Sequence, residues 1–164
     1  MKRSFALFGA IVLLGISAIA GAGTPNAEVI APIHAFIDGF NKGDMKAAAA
    51  ALSPAGIVII DDVPPNVWSG PSAFEAWSKA LEDISKAEGE TDGAVEIGKP
   101  TRVVVAGDHA YVVVPAAYKF TQKGIAMRET SQLVCSVQKE ASGWLITGWA
   151  WTGTKPKPAP AAAK

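Results

Sequence analysis

Gly56-Ile-Val-Ile-Ile-Asp-Asp-Val-Pro-Pro-Asn-Val-Trp-Ser-Gly70 is the stretch on which the fold turns. Ile57 to Ile60 are four β-branched apolar residues in a row, the composition of a buried strand. The run ends in two adjacent carboxylates, Asp61 and Asp62, and then in Pro64-Pro65, which cannot continue a paired strand. Trp68 follows, and Ser69-Gly-Pro-Ser72 reads as the start of a helix. A strand that ends in carboxylates at the rim of a core, beside an aromatic ring, marks the mouth of a pocket.

N-terminal to this strand, Val29, Ile30, Ile33, Phe36, Ile37 and Phe40 recur at helical spacing and predict an amphipathic helix over residues 27–41, with Pro32 near its first turn. Asn41-Lys-Gly43 stops it and Asp44 caps a second, alanine-rich helix from Met45 to Leu52. On the other side, Ser72 or Ser69 caps a third helix, with Glu75 placed as in a capping box. Phe74, Trp77, Ala80, Leu81 and Ile84 form its apolar stripe, and Ser85 to Gly93 reads as a loop.

From there the period changes from about 3.6 to 2. Strands are expected over residues 94–98, 101–106, 110–121, 125–139 and 144–152, joined by short turns such as Gly107-Asp108 and Gln122-Lys-Gly124, which require antiparallel neighbours. Three helices followed by such strands give an α+β domain: N-terminal helices packed on a curved antiparallel sheet, with a cone-shaped pocket between them.

The ends of the chain lie outside this domain. Lys2-Arg3, the apolar run Phe5 to Ile16 and the small residues up to Ala20 or Ala22 have the layout of a secretory signal peptide over residues 1–22. This predicts a periplasmic or secreted protein with no membrane contact after cleavage. Residues 154–164, rich in Pro, Ala and Lys, read as a disordered or extended tail. The whole chain of 164 residues has 15 basic and 15 acidic residues; without Lys2 and Arg3 the balance is 13 to 15. No basic face appears, which argues against nucleic acid as a partner. Cys135, alone in an apolar run, excludes an intrachain disulfide and reads as a buried, inert thiol.

Several stretches resemble one superfamily when taken in order. These are Asn41-Lys-Gly-Asp44, the strand ending in Asp61, Trp68-Ser-Gly-Pro71, Arg102-Val-Val-Val-Ala-Gly-Asp-His-Ala-Tyr-Val112 and Gly143-Trp-Leu-Ile-Thr-Gly-Trp-Ala-Trp151. Together they resemble the nuclear transport factor 2-like superfamily, and within it the SnoaL-like (polyketide-cyclase-like) domains, over about residues 27–153. That superfamily holds isomerases, cyclases, dehydratases and binding modules, so the fold alone does not give the function. By similarity to its steroid-isomerase branch, Asp61 stands at the place of the general base. The place of that branch's oxyanion tyrosine is taken by Phe36, and no acid matches on the strand near Leu133. The histidines with which SnoaL-like domains often end the closing strand are replaced by Gly148 and Ala150.

The candidates follow. Asp61 is the candidate base and polar contact; strand phase puts it on the side of Ile57 and Ile59 and sends Asp62 to the opposite side. Phe36, Phe40, Trp68, Trp77 and Tyr118 are candidate ligand contacts. Trp149 and Trp151 share a sheet face opposite Trp144 and are assigned to an interface with a second copy, with a pocket wall as the alternative. Of Arg128 and Glu129, one faces a cavity or a partner, beside Tyr118. His34 and His109 read as surface residues, and their scatter predicts no metal; no cofactor is expected. The chain is thus expected to bind a small, partly apolar molecule. The alternatives are an isomerase or lyase with Asp61 as base, and a non-catalytic homodimeric module.

Overall fold

The computed structural model describes residues 25–160, so the expected signal peptide lies outside the described residues. Helix α1 spans Pro25–Asn41 and α2 Met45–Ala49; α3 spans Ala73–Glu88. The strands are β1 Ile57–Ile60, β2 Val67–Gly70, β3 Glu90–Ile97, β4 Arg102–Ala106, β5 His109–Gln122, β6 Ile125–Glu140, β7 Gly143–Trp151 and β8 Lys157–Pro158. All eight belong to one sheet in the order β2-β1-β7-β6-β5-β3, with β4 also paired to β5 and β8 to β6. The three helices pack on one face of it. The core joins Val29 and Ile33 of α1, Ile59 of β1, Val112 and Val114 of β5, and Val137 of β6, each at most 1 % exposed.

The sheet is mixed rather than antiparallel: β1 runs parallel to β7, with Ile59 opposite Trp149. Residues 61 to 142 lie between these strands, which lets the chain return in the same direction. Gly148 makes the pairing possible, because a Cβ there would lie 2.7 Å from the Val58 carbonyl oxygen.

Other expectations change at element ends. Val67-Trp-Ser-Gly70 is a strand, not a helix approach; it pairs with β1 in a hairpin whose turn includes a cis Pro64-Pro65 bond. Ser72 occupies the N-cap of α3 but makes no side-chain cap bond. Helix α3 runs through the expected loop to Glu88, where Gly89 ends it in the left-handed region at φ 72° and β3 begins at once. Pro32 lies well inside α1, not in its first turn, and α2 stops at Ala49, with Asp44 capping it by accepting a bond from the Ala47 N–H at 2.9 Å. In the tail, Lys157 and Pro158 are extended and pair with Arg128 and Met127.

A register shift also moves a tryptophan. Val137 faces Ile146 while Ser136 faces Gly148, so Thr147 is an extra residue in β7. Such a bulge reverses the in/out phase. Trp144 therefore packs on the helix side against the core, as Trp149 does, and not on the opposite face.

Candidate functional site

The cavity lies between α1, α3 and the inner sheet face and has a volume of about 290 Å³. That is near the lower end of the roughly 300–1,000 Å³ of small-molecule pockets. Its aromatic wall is an interlocked cluster. Phe36 of α1 packs on Trp149 at a ring-centre separation of 4.8 Å, Trp77 of α3 meets Trp149 edge-on at 5.3 Å, and Phe40 lies 6.0 Å from Trp77. Trp151, one strand step beyond Trp149, completes the wall.

Asp61 stands at the mouth. The chain leaves β1 at Ile60, and the hairpin turn is held by Asn66, at φ 76°, whose side-chain amide donates to the Asp61, Asp62 and Val63 carbonyls. Its backbone carbonyl accepts from the Asp61 N–H at 3.0 Å. The Asp61 carboxylate accepts two bonds, from the Val63 N–H at 3.1 Å and from the Trp77 indole N–H at 3.1 Å. Burial pushes its pKa from 3.8 up to about 6, and Asp62 adds to the rise. The two bonds favour the charged form, but the loss of hydration outweighs them. Asp61 is thus set to exchange a proton near neutral pH.

The inner face brings a second acid into the same cavity. Glu129 of β6 stands directly opposite Tyr118 of β5, and Tyr118 opposite Val95 of β3. Glu129 is only 5 % exposed and accepts a 2.9 Å bond on Oε1 from the Trp151 indole N–H. Burial pushes it up to about 7, helped by the charges of Asp62, Asp61 and Glu90 against the lowering bond from Trp151. Burial also raises Tyr118 to about 12.

Asp61, Phe36, Phe40, Trp77 and Tyr118 all line the cavity. Trp68 does not: it is a core residue paired with Ile59. Trp149 and Trp151 belong to the cavity wall and not to an outer interface, because the inner face is the helix-covered one. Asp62 is not sent away from Asp61: the strand ends at Ile60, so alternation no longer applies, and both acids line the mouth. Of the pair Arg128 and Glu129, the glutamate lies inside, while Arg128 reaches Glu96 at 3.3 Å on the outer side. The cavity acid of β6 is not near Leu133, where the steroid-isomerase resemblance would put it, but at Glu129, four residues earlier on the same face of that strand. His34 and His109 are exposed. Cys135 is buried between Val112 and Trp149, and burial raises its thiol to about 12. Among the described residues, no group of three or more His, Cys, Asp or Glu is arranged to hold a metal ion.

This architecture, three helices packed on a curved mixed sheet, recurs in solved structures. A ketosteroid isomerase-like protein from Erwinia carotovora atroseptica superposes with a TM-score of 0.59 at 22 % identity, over 79 % of this chain and 96 % of that one. An NTF-2-like protein of unknown function from Shewanella oneidensis gives 0.54 at 15 % identity, over 78 % and 98 %. The chain has the nuclear transport factor 2-like fold. The hexachlorocyclohexane dehydrochlorinase LinA-type3 from Novosphingobium barchaimii shares this fold, with a TM-score of 0.68 at 8 % identity, over 85 % of this chain and 92 % of that one. The nuclear transport factor 2-like neighbours thus include enzymes. No protein-family model and no curated protein matches the sequence.

Proposed function

We propose that this nuclear transport factor 2-like domain, SnoaL-like in its motifs, binds a small, partly apolar molecule in the conical cavity. The observation that carries this reading is the cavity itself, with an aromatic wall and acids placed at its mouth and side. A pocket of this size and lining suits a small organic ligand. Ligand-observed NMR with a panel of small aromatic and aliphatic compounds tests it. Binding to the native protein, lost in Val95→Phe with its cavity filled, is the expected result. A panel that binds neither protein, or both equally, overturns it.

A second reading has its own observation: Asp61 combines cavity exposure, an indole hydrogen bond and a pKa of about 6. These are the properties of a general base for isomerisation or elimination. Asp61→Asn should then abolish turnover with the fold intact; unchanged turnover would leave binding alone.

We also infer export, on the strength of Lys2-Arg3 and the apolar run after it, and a homodimer formed through the outer sheet face. Two cross-strand rows lie there: Val67, Ile60, Ala150, Val134 and Val113, and beside it Val58, Gly148, Ser136, Tyr111 and Val104. Val58, Ile60, Val67, Val104 and Tyr111 are all more than 40 % exposed. Apart from Arg102, which stands opposite Val113 at the end of the first row, these residues are uncharged, so a second copy can meet the uncharged part of the surface about a two-fold axis.

A further inference from the structure

The ionisable side chains that line the cavity are all acids apart from the phenol of Tyr118. Asp61 and Asp62 come from the β1–β2 turn, Glu88 from the end of α3, Glu90 from β3 and Glu129 from β6. No Lys, Arg or His is among the lining residues. The nearby cations are engaged or outside. Lys119 and Arg128 are tied to Glu96, Lys86 is tied to Glu82, and Lys155 and Lys157, flanking Pro156 at the rim, are exposed.

Buried carboxylates are normally matched by cations or fully hydrogen-bonded, since an uncompensated one is costly. Glu129 is 5 % exposed and its Oε1 is bonded to Trp151, while Oε2 accepts no side-chain hydrogen bond and is the accessible oxygen, since no fully buried side-chain oxygen among the described residues lacks a partner. The unmatched oxygen belongs to a side chain that lines the cavity. The indoles of Trp77, Trp149 and Trp151 line the same cavity. An indole ring presents negative potential from its face and attracts a cation, most strongly when the cation is desolvated. A neutral apolar ligand would use the rings and leave the acids uncompensated. An anion would be repelled by the acids of the β1–β2 turn, the α3–β3 junction and β6.

We propose that the cavity takes a small organic cation, an ammonium group on an apolar or aromatic body, with Glu129 and Asp61 as counter-charges and the tryptophan rings as its walls. This rests on the reading of the cavity as a small-molecule site and names the class of ligand. A metal ion would satisfy the acids but would have no use for the rings, whereas an alkylammonium uses both. Binding draws the two acids into their charged forms and releases protons, so affinity rises with pH until both are ionised.

Isothermal titration with phenyltrimethylammonium and with its uncharged isostere tert-butylbenzene tests this at pH 5 and pH 8. The ammonium is expected to bind at least about ten-fold tighter than the isostere at pH 8, and several-fold tighter at pH 8 than at pH 5. Glu129→Gln should cost it about ten-fold while leaving the isostere unchanged, and Asp61→Asn should lower it in the same direction should the first variant not fold. Equal or tighter binding of tert-butylbenzene, or ammonium affinity that is flat or rises towards pH 5, overturns the cation proposal and leaves the small-molecule cavity standing. Failure of both probes at both pH values, with no member of the NMR panel bound, overturns both.

Discussion

Trp151 donates its indole N–H to Glu129 Oε1 at 2.9 Å, tying the end of β7 to β6 on the cavity side. Gly153 lies against this pair: a Cβ there would fall 1.4 Å from Glu129 Oε1 and 2.6 Å from Trp151 Nε1. The chain can pass only without a side chain. Gly153→Ala is therefore expected to break the bond and leave a buried carboxylate unpaired, at a cost of about 1–3 kcal/mol. Urea denaturation monitored by tryptophan emission checks it. A midpoint equal to that of the native protein would show that the pair is not held as described.

The two raised acids set the sign of a stability profile. Asp61 rises from 3.8 to about 6 and Glu129 from 4.5 to about 7 on folding. Between about pH 4 and pH 7 the folded chain holds more protons than the unfolded one, so stability falls as pH rises through that window. Below it both states are protonated and the penalty is absent; above it the penalty is complete. One pKa unit is worth about 1.4 kcal/mol. With the partial exposure of Asp61 discounted, the two groups are expected to withdraw on the order of 3 kcal/mol between pH 4 and pH 8. Denaturant melts of the native protein and of Asp61→Asn/Glu129→Gln should differ in slope, the double variant being flatter. A native slope no steeper than that of the double variant would count against the two buried acids.

Gly148→Ala places a methyl group 2.7 Å from the Val58 carbonyl oxygen and 3.3 Å from Ser136 Oγ. It should force β1 from β7 and cost about 1–3 kcal/mol as an overpacked contact. Because β1 leads into Asp61, amide exchange should quicken at Ile59 and Asp61 as well as at the mutated strand. Acceleration confined to residues next to 148 would show that β1 does not depend on this pairing.

The outer face gives an independent test. Ile60→Glu and Tyr111→Glu are expected to convert a dimer to a monomer in analytical ultracentrifugation, with an unchanged far-ultraviolet circular dichroism spectrum. Trp149 substitutions, by contrast, should alter cavity binding and leave the mass unchanged. A native protein that sediments as a monomer at high concentration removes the dimer.

Helices, long strands and their order were legible because their signals are local. The stripe Val29-Ile33-Phe36-Ile37 has one period, β5 and β6 are long runs joined by the Gln122-Lys-Gly124 turn, and Asp44 caps α2 through a neighbour three residues away. Short elements lacked that redundancy. Val67 to Gly70 is too brief to show alternation, and the α3 end at Gly89 competes with a polar segment that reads equally as a loop.

For the site, Phe36, Phe40 and Trp77 were legible because they lie on apolar helix stripes whose period is visible, whereas Asp61 lies just past the end of β1 and Tyr118 reads only as a neighbour of Arg128 and Glu129. Three decisions belonged to the tertiary structure. The end of β1 at Ile60 put Asp62 beside Asp61, the Thr147 bulge turned Trp144 to the helix side, and the β5–β6 register set Glu129 opposite Tyr118 within the cavity. Each depends on where a strand stops or slips relative to a partner tens of residues away, and local sequence does not encode that. The sequence by itself determined that Gly56 to Gly70 carries an acid to the mouth of a pocket. Only the packed sheet decided that the acid has a second, buried companion, because burial and its effect on a carboxyl proton exist only once distant strands have met.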